Sequence, residues 1–296
     1  MTVPIPERVP PPVAGERGIS RHEGAGQDQD QVAAAGAMLP AEPRQAGYGL
    51  ISEAAVMRAG SVELSPAWQA VPGPSAADAL YDARRGVYYA RPVLRGWLHL
   101  VWFGMSVVIG ALLLARAHGA MRITAAAIYA ASTSALFGVS ALYHRRNWSA
   151  AWRRRLQRLD HAMIFFLIAG TATPAFLLAN RGAFGLVCLI VMWALTLTAA
   201  AVHMAWMSAP EIVVGATFVG LGWVAGLALP GMWIHAGITP AALVLAGGLL
   251  YTAGAISYYR RRPDPYPSVF GYHEIFHAFV CAAATCQFAA IALFII

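Results

Sequence analysis

The sequence contains a histidine pair whose spacing suits a metal ion. Residues 273–277 read His-Glu-Ile-Phe-His, and positions i and i+4 of a helix share one face. The two imidazoles can therefore close on one Zn²⁺ with Glu274 near a metal-bound water, as in metalloproteases. The residues that follow, Ala278 to Ile296, carry no charge. We therefore expect this motif to act inside or at the edge of a membrane.

Two further ionisable side chains are predicted to share the membrane depth of this pair. His144 ends the second predicted span, Asp160 opens the third, and His273 and His277 open the seventh. Ionisable groups within a membrane usually mark a function. Three histidines form a sufficient zinc shell and leave a fourth position for water, as in catalytic sites. A carboxylate could take a proton from that water, with Asp160 as the first candidate and Glu274 as the second.

Other histidines are expected to have structural roles and not to bind the metal. We expect His99 and His203, inside the first and fourth predicted spans, to serve core hydrogen bonding or interface anchoring. His161 adjoins Asp160, so it could either support that carboxylate or only pack.

The composition places the chain among membrane proteins. Of its 296 residues 58% are hydrophobic and only 12% are charged, whereas soluble domains carry about 25% charged residues. The net charge of +7 comes wholly from arginine, since the chain has no lysine, which excludes Schiff-base chemistry on lysine. The arginines cluster between apolar spans, so we expect no nucleic-acid partner. Three cysteines without a CxxC pair argue against a thiolate metal site.

Apolar runs long enough to cross a bilayer dominate the chain from Trp97 onward. A hydrocarbon core of about 30 Å needs roughly 20 apolar residues per helix, and backbone groups in lipid must be paired within each segment. We predict an all-α, polytopic membrane protein with a bundle of seven transmembrane helices. The predicted spans are 97–116, 122–143, 161–179, 183–204, 211–230, 238–258 and 271–295.

Arginine also predicts the orientation and the domain organisation. Arginine clusters before the first span, between the second and third, and after the sixth all fall on one side. The positive-inside rule then puts the amino terminus in the cytoplasm and the carboxyl terminus outside. Residues 1–90 are rich in Pro, Gly and polar residues, and we predict a mostly disordered cytoplasmic extension there. Residues 91–296 form the predicted seven-helix domain of a multi-pass cell-membrane protein.

Small residues predict where helices approach each other closely. Gly170 precedes a Thr-Pro step in span three, and Gly215 and Gly220 are spaced along span five. Small residues in membrane helices commonly mark packing interfaces. We therefore predict helix packing at each of these glycines.

Three ordered motifs resemble those of a known family. Ser140-Ala-Leu-Tyr-His144, then Leu159-Asp160-His161 with the Ile168–Pro174 stretch, then His273-Glu-Ile-Phe-His277 resemble the motifs of the hemolysin III branch of the PAQR family. That family includes the adiponectin and progestin receptors and is related to alkaline ceramidases. The resemblance covers roughly residues 90–296. It implies a seven-helix bundle with its amino terminus inside and a zinc ion held by His144, His273 and His277. It further implies that Asp160 bonds the zinc water and that Ser140 stabilises a developing oxyanion or a ligand.

Three hypotheses of function follow. The leading one is a zinc-dependent hydrolase of lipid amide or ester bonds, whose lipid substrate comes from the bilayer and whose base is Asp160. An intramembrane metalloprotease is a second, and it requires Glu274 as its base. The third is non-enzymatic, a pore-forming hemolysin or a receptor in which zinc only ties the helices together.

Overall fold

The computed structural model describes residues 79–82, 87–180, 182–206 and 208–295. Most of the predicted amino-terminal extension lies outside the described residues, so its disorder stays a prediction. The part that is described includes a short antiparallel hairpin of β1 (Ala79–Asp82) and β2 (Val87–Ala90). The sequence prediction has no strand there, because these residues show no sustained alternation of polar and apolar side chains.

Eight α-helices follow in the described residues. They are α1 (Trp97–Arg116), α2 (Ala120–Arg145), α3 (Ala150–Pro174), α4 (Ala183–Ala205), α5 (Glu211–Ala225), α6 (Leu229–Ala236), α7 (Ile238–Arg260) and α8 (Tyr272–Ile295). A π-helical turn, Ala175–Ala179, extends α3 beyond Pro174. A 3₁₀ turn, Gly226–Ala228, joins α5 to α6.

Seven helical segments of the described chain are long and apolar enough to cross a membrane. The third consists of α3 with its π-helical turn, and the fifth of α5, the 3₁₀ turn and α6. The predicted seven-span helical membrane protein is thereby confirmed, while its orientation in the membrane stays a prediction. Span three begins at Ala151 instead of residue 161, because helix continues through the arginines that precede the apolar run. Span five continues to Ala236, because Pro230 falls in the first turn of α6, where proline is tolerated.

Successive spans run in opposite directions, which brings one set of helix ends together. The beginnings of α1, α3 and α8 and the ends of α2 and α7 lie at what we call the arginine-rich end. At this end the Arg145 guanidinium lies 3.8 Å from the centre of the Trp97 ring. The backbone N–H groups of Val93 and Leu94 donate to the carbonyls of Ser268 and Val269, at 3.0 and 3.1 Å. The segment before α1 is therefore hydrogen-bonded to the loop before α8.

An apolar cluster joins α2, α3 and α8. Its buried members are Leu136, Phe137, Leu167, Val280, Cys281 and Ala284. Leu98 and Trp102 of α1 and Tyr251 of α7 pack against it. Burial of apolar side chains fixes the relative positions of these helices, so their polar residues at the arginine-rich end are brought to defined places.

Only one of the predicted glycine contacts is observed. A Cβ atom added at Gly170 would lie 1.9 Å from the Ser132 hydroxyl oxygen of α2, so α2 and α3 approach too closely there for a larger residue. At Gly215 and Gly220 nothing lies within 4 Å of the added atom. The prediction of helix packing was wrong for those two positions, because glycine spacing along a helix does not show which faces meet a neighbour.

Alanine at Gly170 is expected to lower the thermal unfolding midpoint of the detergent-purified protein. Overpacking of this kind costs about 1–3 kcal/mol, which exceeds the roughly 1 kcal/mol that alanine gains over glycine in a helix. Gly215→Ala, the matched control, should leave the midpoint unchanged or raise it. Combining Gly170→Ala with Ser132→Gly should return the unfolding midpoint toward the wild-type value, because the clashing side chain is removed. Equal midpoints for the two single variants would contradict the close approach of α2 and α3.

Candidate metal centre

Three histidines from two helices converge at the arginine-rich end. His144 lies in the last turn of α2, and His273 and His277 lie in the first turns of α8. One ligand atom from each ring lies within 4.8 Å of the others. The ring centroid of His144 lies 4.8 Å from that of His273 and 5.1 Å from that of His277. The structure thus brings together the three side chains predicted to form one cluster.

Two helix ends explain this arrangement. On α8 the i, i+4 spacing puts both imidazoles on one face, with ring centroids 4.6 Å apart. On α2 the chain turns to an extended conformation at Arg146, so His144 is presented by the final turn. The packing of α2 against α8 through the apolar cluster then sets the separation of the rings.

The donor set fits a zinc ion. The Nε2 atom of His273 and the Nδ1 atom of His277 are buried and have no hydrogen-bond partner in the described structure. Buried polar atoms without partners cost folding free energy, and a cation that accepts their lone pairs would remove that cost. Neutral imidazole is a good ligand for zinc, and three protein ligands leave a fourth position open. His144 and His277 are almost fully buried, at 9% and 2% exposure, so water competes little with the site.

Asp160 and Ser140 lie beside this cluster. The Oδ2 atom of Asp160 is 3.7 Å from Nε2 of His144, and the Ser140 side chain lies within hydrogen-bonding reach of the Asp160 carboxylate. Ser140 stands one helical turn before His144 and is buried at 3% exposure. The five residues predicted to form the site are therefore neighbours, and the chemical roles assigned to them stay predictions.

Glu274 is held by groups outside the cluster. Its carboxylate forms an ion pair with Arg95 and accepts a hydrogen bond from the backbone N–H of Gly271 at 2.8 Å. It occupies the third position of α8, from which a glutamate can reach back to the residue before the helix. Among the described residues, the metal-ligand group comprises the three histidines without Glu274. The carboxylate thus stabilises the start of α8, which explains its presence without a catalytic role.

His99 is a fourth histidine in contact with the cluster, and its place there was not predicted. Its ring stacks on His277 with centroids 3.8 Å apart and planes 17° from parallel, and its edge faces Phe137. Neither ring nitrogen has a hydrogen-bond partner in the described structure, so the prediction of core hydrogen bonding was wrong. Its position in the first turn of α1, at the depth of the other histidines, is the signal that could have located it.

His161 and His203 form a separate pair. The two rings stack with centroids 5.3 Å apart, and Nδ1 of His161 is hydrogen-bonded to the Gln157 carbonyl at 2.8 Å. These contacts join α3 to α4 and direct His161 toward α4. Of the two roles left open for His161, packing is the one that these contacts support.

A cavity of about 160 Å³ begins one helical turn below the cluster. Ile164, one turn after Asp160, and Val280, about one turn after His277, both line it. Its wall is almost entirely apolar and is formed by residues of several spans. These residues include Leu136, Leu167, Phe218, Trp223, Phe276 and Met232. The site thus lies between the arginine-rich end and an apolar chamber within the bundle.

Comparisons with known proteins identify relatives of the chain. A sequence model of the family described as haemolysin-III related matches residues 87–288. The "Hemolysin-3 homolog" of Bacillus subtilis (strain 168) is 30% identical over 135 residues, which cover 45% of this chain and 60% of that protein. The "Hemolysin-3" of Bacillus cereus is 28% identical over 182 residues, which cover 60% of this chain and 79% of that protein. The residues of the candidate site all lie within the matched range.

Proposed function

The chain belongs to the haemolysin-III-related family, and on that premise we propose that it is a zinc-dependent hydrolase of lipid amide or ester bonds. The observation that carries the proposal is the convergence of His144, His273 and His277 beside Asp160. Three imidazoles and a neighbouring carboxylate suit hydrolysis better than a purely structural site, since structural zinc sites have four protein ligands. When bound, zinc supplies a Lewis acid that polarises a carbonyl oxygen and acidifies water.

Asp160 is proposed to move the proton. Its carboxylate takes a proton from the water that attacks the acyl carbon, and it returns that proton to the leaving nitrogen or oxygen when the C–N or C–O bond breaks. The products are a fatty acid and an amine or alcohol. Ser140 orients the carboxylate through its hydrogen bond. This division of roles leaves Glu274 in its ion pair with Arg95.

The apolar cavity supports a lipid as the substrate. Its lining includes Ile164 and Val280, which lie about one helical turn along α3 and α8 from Asp160 and His277. Apolar surface that is removed from water or lipid headgroups favours an acyl chain. A lipid that enters the cavity with its chain would leave its amide or ester group at the level of Asp160 and the histidines. The bilayer supplies such molecules at high local concentration.

Turnover of defined lipids tests this proposal. The purified full chain in proteoliposomes is given a panel of amide- and ester-linked lipids, and released fatty acid is measured by mass spectrometry. We expect release from at least one class, and we expect His277→Ala to lower it by more than about 100-fold, as loss of a metal ligand should. His118→Ala, an exposed histidine in the loop between α1 and α2, is the control and should retain full activity. A zinc-loaded protein that hydrolyses no member of the panel would overturn the proposal.

A pore is the second candidate, and the names of the two Bacillus relatives, both hemolysins, favour it. The same proteoliposomes can be loaded with a fluorescent dye. Dye release without fatty-acid release would support a pore-forming hemolysin, with the histidine cluster serving only to hold α2 and α8 together. Fatty-acid release from intact vesicles would support the hydrolase.

A further inference from the structure

Arg153 is a buried cation with no carboxylate partner among the described residues. It lies in the first turn of α3 and retains 9% of its surface. Its Nε atom is buried without a hydrogen-bond partner in the described structure, and its guanidinium lies 5.9 Å from the centre of the Tyr143 ring. Arg95, by contrast, is buried against Glu274. Within the described residues, the neighbours that the structure assigns to the Arg153 charge are the Tyr143 ring and, at longer range, His144, and neither is an anion.

This environment differs from that of an ordinary arginine at a membrane surface. Arg154 and Arg155 follow on the same helix and are exposed, so water solvates them and their placement is explained by topology. Burial of a guanidinium without an anion is unfavourable, and a cation–π contact near the limit of its range offsets only part of that cost. An anion supplied from outside the described chain would complete the environment of Arg153.

The position of Arg153 relates that anion to the candidate site. One face of α3 carries four residues spaced by four, three and four positions, as helix geometry requires of a shared face. They are Arg153, Gln157, Asp160 and Ile164. Arg153 precedes Asp160 by two turns, or about 10 Å along the helix, and it lies within electrostatic range of Tyr143 and His144. Along this face the order is a cation, the proposed base, and then Ile164 in the wall of the cavity.

We propose that Arg153 binds a phosphate group in the headgroup of the lipid that occupies the site. This rests on the proposed function, since it supposes that the acyl chain lies in the cavity and the bond to be cleaved lies beside Asp160. The planar guanidinium matches phosphate oxygens with two parallel hydrogen bonds, and it is less strongly hydrated than an ammonium group. Phosphate is the anionic group that membrane lipids carry at the headgroup, about where Arg153 lies. The substrate class is thereby narrowed to phosphate-bearing lipids.

Binding of uncleavable lipids tests this without any turnover. The probes are 1-O-dodecylglycerol 3-phosphate and 1-O-dodecylglycerol, two ether lipids that differ only in the phosphate, titrated calorimetrically into the full chain in a neutral detergent. We expect the phosphate-bearing probe to bind about tenfold or more tighter to the wild type, as a charge-assisted bidentate contact should. Arg153→Gln should remove that preference and leave affinity for the neutral probe unchanged. Arg153→Lys should keep part of the preference for the phosphate-bearing probe, since lysine supplies a positive charge without the planar guanidinium that donates two parallel hydrogen bonds.

Arg154→Gln is the matched control. It removes the same charge from the neighbouring, exposed residue, so the preference should stay within about twofold of the wild type. An equal loss in Arg153→Gln and Arg154→Gln would show a general surface field and overturn the proposal. So would a wild type that binds both probes alike, a result that does not depend on any variant folding.

A third probe distinguishes the source of the phosphate. Glycerol 3-phosphate lacks the alkyl chain, and we expect it to compete about 100-fold more weakly than the ether lipid, because it cannot fill the cavity. Competition at equal strength would overturn assignment to a lipid headgroup and point to a soluble phosphate. If the protein prefers the phosphate-bearing probe but hydrolyses no lipid, the phosphate site at Arg153 is supported and the hydrolase proposal fails.

Discussion

Replacing His144 by alanine is expected to remove the metal from the purified protein. Wild-type protein should carry about one zinc per chain, as a single site of three imidazoles predicts. Loss of a residue that only supports a ligand lowers metal affinity by 10- to 100-fold in typical sites, so loss of a ligand itself should lower it by more than about 100-fold. The measurement is elemental analysis by mass spectrometry after dialysis against a weak chelator.

The control for this experiment is His161→Ala. His161 is also buried in part near the arginine-rich end, but its Nδ1 is hydrogen-bonded to the Gln157 carbonyl and its ring stacks on His203. It should therefore retain zinc at the wild-type ratio. A His144→Ala protein that keeps its zinc would show that the ligand set is wrong. A wild type that binds no zinc, while folded, would remove the basis of the proposed chemistry.

Asp160→Asn is expected to lower the rate of lipid hydrolysis by about 10²- to 10⁴-fold, the usual contribution of a general base. Asparagine is close to aspartate in size and can still accept a hydrogen bond from Ser140, so the geometry beside His144 should be preserved. The variant should retain its zinc, which separates loss of the base from loss of the metal. The measurement is fatty-acid release per zinc-loaded protein in proteoliposomes.

The effect of removing Glu274 is the comparison for Asp160→Asn, because an HExxH protease would depend on Glu274 as its base. Substituting Glu274 alone would remove the carboxylate that the buried Arg95 guanidinium pairs with, which is strongly destabilising. The appropriate variant is the double substitution Arg95→Gln with Glu274→Gln, which removes both charges. We expect this protein to hydrolyse lipid within a few-fold of the wild type. Full activity in Asp160→Asn together with inactivity of the double variant would instead make Glu274 the base, as the HExxH mechanism requires.

The spans and the histidine cluster could be predicted because each leaves a local pattern. An uncharged run such as Ala278 to Ile296 has few alternatives to a membrane helix. His144, His273 and His277 were placed together by membrane depth, which follows from span boundaries alone. Asp160 was grouped with them by the same membrane depth, while Ser140 came from the resemblance of ordered motifs, and the structure brings all five side chains together.

Other features depend on tertiary contacts that no local pattern encodes. His99 is a single histidine in an apolar run, so spacing gives no sign that its ring stacks on His277. The partner of Glu274 is Arg95, which lies 179 residues away in sequence. Gly170 and Gly215 look alike in sequence, yet only Gly170 faces another helix. Arg153 belongs to a run of arginines, and only its burial distinguishes it from its neighbours.

The division of the three histidines between α2 and α8 has a consequence for biogenesis. Helices enter the membrane in the order of synthesis, and His144 arrives early, while His273 and His277 arrive only with the last span described. A nascent chain therefore presents only one of the three proposed ligands, which is too few to retain zinc. The centre is completed only after all seven spans have been inserted and the segment before α1 has paired with the loop before α8. If the three histidines hold zinc as proposed, metal loading would report that assembly of the membrane domain is finished.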